Sequence, residues 1–171
     1  MRNQWLRKTV LTAMLAAGAI VLAMIESSFP PIFSAVPGVK LGLSNIVVMY
    51  VLFFVGGANA YAVAGIKSLF VLLFRGPVAA LLSLTGGMLS VTIIVALVIL
   101  TKKRASHLIL SIAGAVTHNL GQLIVVAFLY TKFVFWAYLP TLIVSGILAG
   151  IATAVLMKWI LPALQKLGFN R

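Results

Sequence analysis

Aspartate is absent from these 171 residues, and Glu26 is the only side-chain carboxylate. Cysteine is absent as well, and charged residues of both signs make up only 8% of the chain. Each absence removes a class of chemistry. Paired-carboxylate catalysis has no second acid, and magnesium sites, which are built from carboxylates, have almost nothing to build with. Glu26 and His118 are the candidates left for a proton relay. Disulfides, thiol nucleophiles and Cys-ligated metals are excluded. No G-x-x-x-x-G-K-[ST] phosphate loop occurs, so the chain does not hydrolyse ATP by that route. The sequence points to no metal and no cofactor. A soluble domain needs far more charged surface than this. With 63% hydrophobic residues and a mean hydropathy of +1.22, the solvent has to be lipid.

What is present agrees. Six apolar runs, at about 9–25, 41–56, 58–74, 78–101, 108–130 and 135–161, predict an all-α integral membrane bundle of six transmembrane helices. They leave only short loops, so residues 1–171 read as a single transmembrane domain. Arg2, Arg7 and Lys8 before a run rich in small residues have the look of a cleavable signal. Five further spans favour an uncleaved first helix. The thirteen Lys and Arg give a net charge of +12, yet all but Lys67 sit at or near span ends. Nucleic-acid binding needs a basic patch on a solvated surface instead. These cations read as membrane-flanking anchors.

Their distribution sets the expected orientation. Arg2, Arg7, Lys8, Lys102, Lys103, Arg104, Lys158, Lys166 and Arg171 fall on one side; Lys40, Arg75 and Lys132 fall on the other. Both termini are therefore expected in the cytoplasm. Trp5 and Trp159 suit the inner interface, and Tyr130, Trp136 and Tyr138 the outer one. The loop 26–40 lies outside. Its Pro30, Pro31, Pro37 and Gly38 forbid a regular helix, while Phe29, Ile32, Phe33 and Val36 are too apolar for free solvation. It either folds back over the bundle mouth or lies along the lipid interface.

Polar side chains at membrane depth are costly unless they face the protein interior or water. Lys67 lies near the middle of the third span. Ser44 and Asn45 open the second span, Ser83, Thr85, Gly86 and Gly87 occupy the fourth, and Thr117, His118, Asn119 and Gln122 cluster in the fifth. His118 and Gln122, four apart, share a helix face. The topology brings these groups to one outer depth, below Lys40 and Arg75. A cavity lined by Lys40, Ser44, Asn45, Lys67, Arg75, His118, Asn119 and Gln122 would be cationic and would select an anionic or carbonyl-rich solute. Phe70, Phe74 and Tyr50 are candidates for its apolar wall. Structural readings compete: Lys67 or Lys40 pairs with Glu26, and Asn119 and Gln122 stitch helices together. Small residues form a second pattern, Ala13 with Ala17 and Ala19 with Ala23 in the first helix, and Gly146 with Gly150 in the last. Such pairs let helix backbones approach closely, within the bundle or against a partner.

Three segments resemble a family signature: Pro37-Gly38-Val39-Lys40-Leu41-Gly42-Leu43-Ser44-Asn45-Ile46, Ser83-Leu84-Thr85-Gly86-Gly87-Met88-Leu89-Ser90, and Gly114-Ala115-Val116-Thr117-His118-Asn119-Leu120-Gly121-Gln122. Together they resemble the heptaprenyl diphosphate synthase component I family, also called the Gx transporter family. That family is in turn similar to the S-components of energy-coupling-factor (ECF) vitamin importers. The resemblance implies a non-enzymatic, six-helix solute-binding subunit of the bacterial cytoplasmic membrane. It implies a pocket near the outer surface, and an Ala-x-x-x-Ala motif, matched by Ala13 and Ala17, that docks on a transmembrane coupling subunit working with two ATPases. No residue set matches a known vitamin. The synthase label implies at most an accessory subunit of prenyl diphosphate or quinone synthesis, or of flavin-linked electron transfer. A purely structural membrane protein is the remaining reading.

Overall fold

In the computed structural model, which describes residues 2–28, 43–102, 104–129 and 132–166, the chain is all helical. Five helices follow one another: α1 (Arg2–Ser28), α2 (Leu43–Phe54), α3 (Gly57–Leu100), α4 (His107–Leu129) and α5 (Lys132–Lys166). Stretches in α1, α3, α4 and α5 are long and apolar enough to cross a membrane, which marks a multi-pass membrane protein.

The described residues form five helices where the sequence suggested six. The difference lies in α3, a 44-residue element interrupted at Gly76. Straight, it would run about 66 Å, twice the roughly 30 Å hydrocarbon core. It does not run straight. Gly76 has φ 82° and ψ 178°, a conformation that side-chain-bearing residues rarely adopt. Pro77 follows, suited to the first turn of a new helical arm because its missing N–H needs no partner there. Three contacts show where the second arm goes. Tyr61 Oη lies 2.8 Å from Thr92 Oγ1, Ser68 Oγ donates to Ser83 Oγ at 3.1 Å, and a Cβ at Gly87 would sit 3.3 Å from that of Ala64. The paired positions move in opposite directions along the chain. The element is thus a helical hairpin bent at Gly76, its arms lying antiparallel.

A second difference is α2. A span was expected over 41–56, but the helix has 12 residues, about 18 Å, too short to cross by itself. Gly56, at φ 134°, ends it and turns the chain directly into α3.

Small residues draw the helices together. Ala16 and Ala19 of α1, Val48 and Val51 of α2, and Ala60, Val63, Ala64, Val91 and Ile94 of α3 form the main buried cluster. The opposite faces carry Leu73, Leu100, Phe128 and Trp159, large apolar side chains left exposed for lipid. Of the two small-residue patterns, the one in α5 packs inside the bundle: a Cβ at Gly146 would meet the backbone of Val116, and one at Gly150 that of Ile112. α1 divides its alanines, with Ala16 and Ala19 facing inward and Ala13 and Ala17 exposed.

The contacts of Lys67 with Ser44 and of Asn119 with Leu142 place the start of α2, the bend of α3, the end of α4 and the start of α5 at one end of the bundle. We call this the bend end. At the other end the rings of Phe53 and His107 meet edge to face, joining the end of α2 to the start of α4.

Candidate functional site

Lys67 lies nine residues before Gly76, about 13 Å from the bend along the helix axis. It is only 4% exposed. Its ammonium donates to Asn45 Oδ1 at 2.8 Å and to Ser44 Oγ at 3.3 Å. Both acceptors come from the first turn of α2, which the tight Gly56 turn folds back alongside the first arm of α3. A buried ammonium needs oxygen ligands in place of water, and the short second helix delivers them. The three residues, expected to line one cavity, meet in the structure as hydrogen-bond partners.

The hydroxyl chain continues beside it. Ser68, adjacent to Lys67, donates to Ala64 O at 2.8 Å and to Ser83 Oγ in the second arm. One turn further, Gly86 faces α4. A Cβ there would lie 2.9 Å from His118 Nδ1 and Cε1 and 2.8 Å from the His118 carbonyl oxygen. The imidazole therefore occupies the room that the missing side chain leaves. Gln122, one turn along α4, places Nε2 3.3 Å from His118 Nε2.

Asn119 turns elsewhere. Its amide donates to Leu142 O at 3.0 Å and to Ser145 Oγ at 3.2 Å, stitching α4 to α5. Successive helix residues point about 100° apart, so His118 and Asn119 cannot serve the same interface. Arg75 is exposed at the bend, and the structure does not bring it to Lys67. Lys40 and the Glu26 side chain lie outside the described residues, so the expected Glu26 pairings do too. The suggested apolar wall also disperses. Phe70 and Phe74 stack on each other with centroids 4.3 Å apart, and Phe74 is largely exposed. Tyr50 sits in a separate cluster with Ile46 and Met157, stacked on Phe54.

Sequence reasoning gave little weight to the buried serines 68, 90 and 145. A serine in an apolar run is a weak signal, because its hydroxyl can bond back to its own helix. What marks Ser90 and Ser145 is bonding beyond the helix, to Gly114 O at 2.8 Å for the former and from Asn119 for the latter. Together these groups form a polar layer that runs from the bend half to just past the middle of the bundle, built from α2, both arms of α3, α4 and α5. It is rich in donors, with one fixed cation and one imidazole. Among the described residues no group of three His, Cys, Asp or Glu could hold a metal ion.

Comparison with known proteins adds one finding. A family model described as heptaprenyl diphosphate synthase component I matches residues 15–160, from the middle of α1 to near the end of α5. No curated protein matches, and no solved structure does.

Proposed function

This chain belongs to the heptaprenyl diphosphate synthase component I family, and from that premise we propose that it is a membrane solute-binding subunit resembling an ECF S-component. The arms of α3 each cross the bilayer once and α2 completes a six-segment bundle with both termini cytoplasmic. The bend end then faces outward. A small anionic, isoprenoid or vitamin-like solute enters there and is met by Lys67, Ser44, Asn45, His118 and Gln122. Lys40 and Arg75 attract it at the mouth.

One observation carries this reading: Lys67, buried at membrane depth, belongs to a donor-rich layer assembled from four helices. A cation kept there costs about 2.5–3.5 kcal/mol on insertion scales and is by default a functional feature. Among the described residues, the cavity bordering the layer has room for a single water. Native mass spectrometry of gently extracted protein tests the reading. We expect a retained small acidic molecule. A protein that releases nothing, in several mild detergents, rejects it.

Import in this reading needs partners, a coupling subunit and two ATPases, docking where Ala13 and Ala17 lie exposed. Their small side chains leave a shallow face on which another helix can close. Enlarging both to Leu is expected to strip the coupling subunit during co-purification, while monomer stability is unchanged because neither residue is buried. Equal recovery of the partner would exclude this face.

The family description itself favours a second reading, a non-catalytic accessory subunit of prenyl diphosphate synthesis. That reading requires prenyl synthase activity to rise when the chain is mixed with a soluble catalytic component.

A further inference from the structure

A small cavity lies between α2 and the second arm of α3, next to the polar layer. Asn45, Val48 and Met49 face Gly87, Ser90 and Ile94 across it, and its volume is about 10 Å³. One water needs about that much space, with two to four polar partners. The lining offers two. Asn45 commits Oδ1 to Lys67, which leaves its amide N–H groups to donate. Ser90 commits its proton to Gly114 O, which leaves its oxygen lone pairs to accept.

We propose that this cavity is a specific site for one structural water, which accepts from Asn45 Nδ2 and donates to Ser90 Oγ. The water completes a hydrogen-bond chain running Lys67, Asn45, water, Ser90, Gly114 carbonyl, across α2, both arms of α3 and α4. It also sets the sense of the Asn45 amide. With the N–H groups held by water, the carbonyl oxygen stays turned to the Lys67 ammonium. The site's remaining walls are apolar, and its size admits nothing larger than a single water.

Met49 makes this measurable. It lines the cavity and is 4% exposed, while Met157, 2% exposed, sits in the apolar cluster with Ile46 and Tyr50. Radiolytic hydroxyl-radical footprinting generates radicals from bound water, so a buried methionine beside a water oxidises faster than one in dry packing. In the intact protein we expect Met49 to be oxidised several-fold faster than Met157. In Ser90→Ala, which removes one of the water's two partners, the Met49 rate is expected to fall toward that of Met157. Met157 in the same sample reports whether the variant is folded. Equal slow oxidation of the two methionines in the unaltered protein overturns the proposal. So does fast Met49 oxidation that persists unchanged in the folded variant.

Discussion

Gly150→Leu is expected to prevent α4 and α5 from packing, and Gly150→Ala to cost about 1–3 kcal/mol, the usual range for overpacking a tight interior. A Cβ at position 150 would lie 2.5 Å from Ile112 Cα and 2.8 Å from Ile112 N. These are backbone atoms, so no rotamer change relieves the clash. The helices must separate, and among the described residues their interface is an extensive one. In lipid this loss is not offset by burying more apolar surface, because tails and side chains are equally apolar; close packing is what holds helices together. Gly18 is the control. Nothing lies within 4 Å of a Cβ built there, so Gly18→Ala removes a poor helix former without a clash. Thermal unfolding in detergent should therefore show a lowered midpoint for Gly150→Ala and an unchanged or raised one for Gly18→Ala. Equal midpoints would mean that α4 and α5 do not cross at Gly150.

Which segments are helical was largely legible in the sequence; the direction in which their side chains face was not. Apolar runs mark most of the helices, and Ser44, Asn45 and Lys67, expected at similar depth, hydrogen-bond to one another. Which way a residue faces is normally read from amphipathic patterning. Lipid erases that pattern, since outward and inward faces are both apolar. Asn119 was thus grouped with His118 although it bonds to α5, and Phe74 was offered as a pocket wall although it is exposed. The same reasoning explains α2. A hydropathy profile counts apolar residues, and 41–56 has enough of them, but the chain turns at Gly56 after only 12 helical residues. In α3 the gap expected between the apolar runs 58–74 and 78–101 coincides with the interruption at Gly76. What the sequence concealed is how abruptly the chain reverses there. That reversal rests on a single positive φ, and it is what brings Ser68 against Ser83.

Lys67→Met separates binding from stability, and the reason is a near-cancellation. Holding an ammonium at this depth costs about 2.5–3.5 kcal/mol. The short bond to Asn45 and the longer one to Ser44 return a similar sum, given about 1.5–3 kcal/mol for a good hydrogen bond to a charged group. Replacing the ammonium with an unbranched apolar side chain deletes both terms at once. The midpoint of unfolding should therefore move by no more than about 1 kcal/mol equivalent. Binding has no such compensation. If the layer receives an anionic solute through Lys67, losing one charge-assisted contact of about 1.5–3 kcal/mol weakens affinity roughly 10- to 150-fold. The retained molecule should then vanish from native mass spectra of a protein that melts normally. The opposite pattern, a fall of about 3 kcal/mol or more in stability with the small molecule still bound, would show that Lys67 serves as a bolt between α2 and α3. The layer would then be a structural core whose single cation fastens a helix too short to hold itself in the membrane.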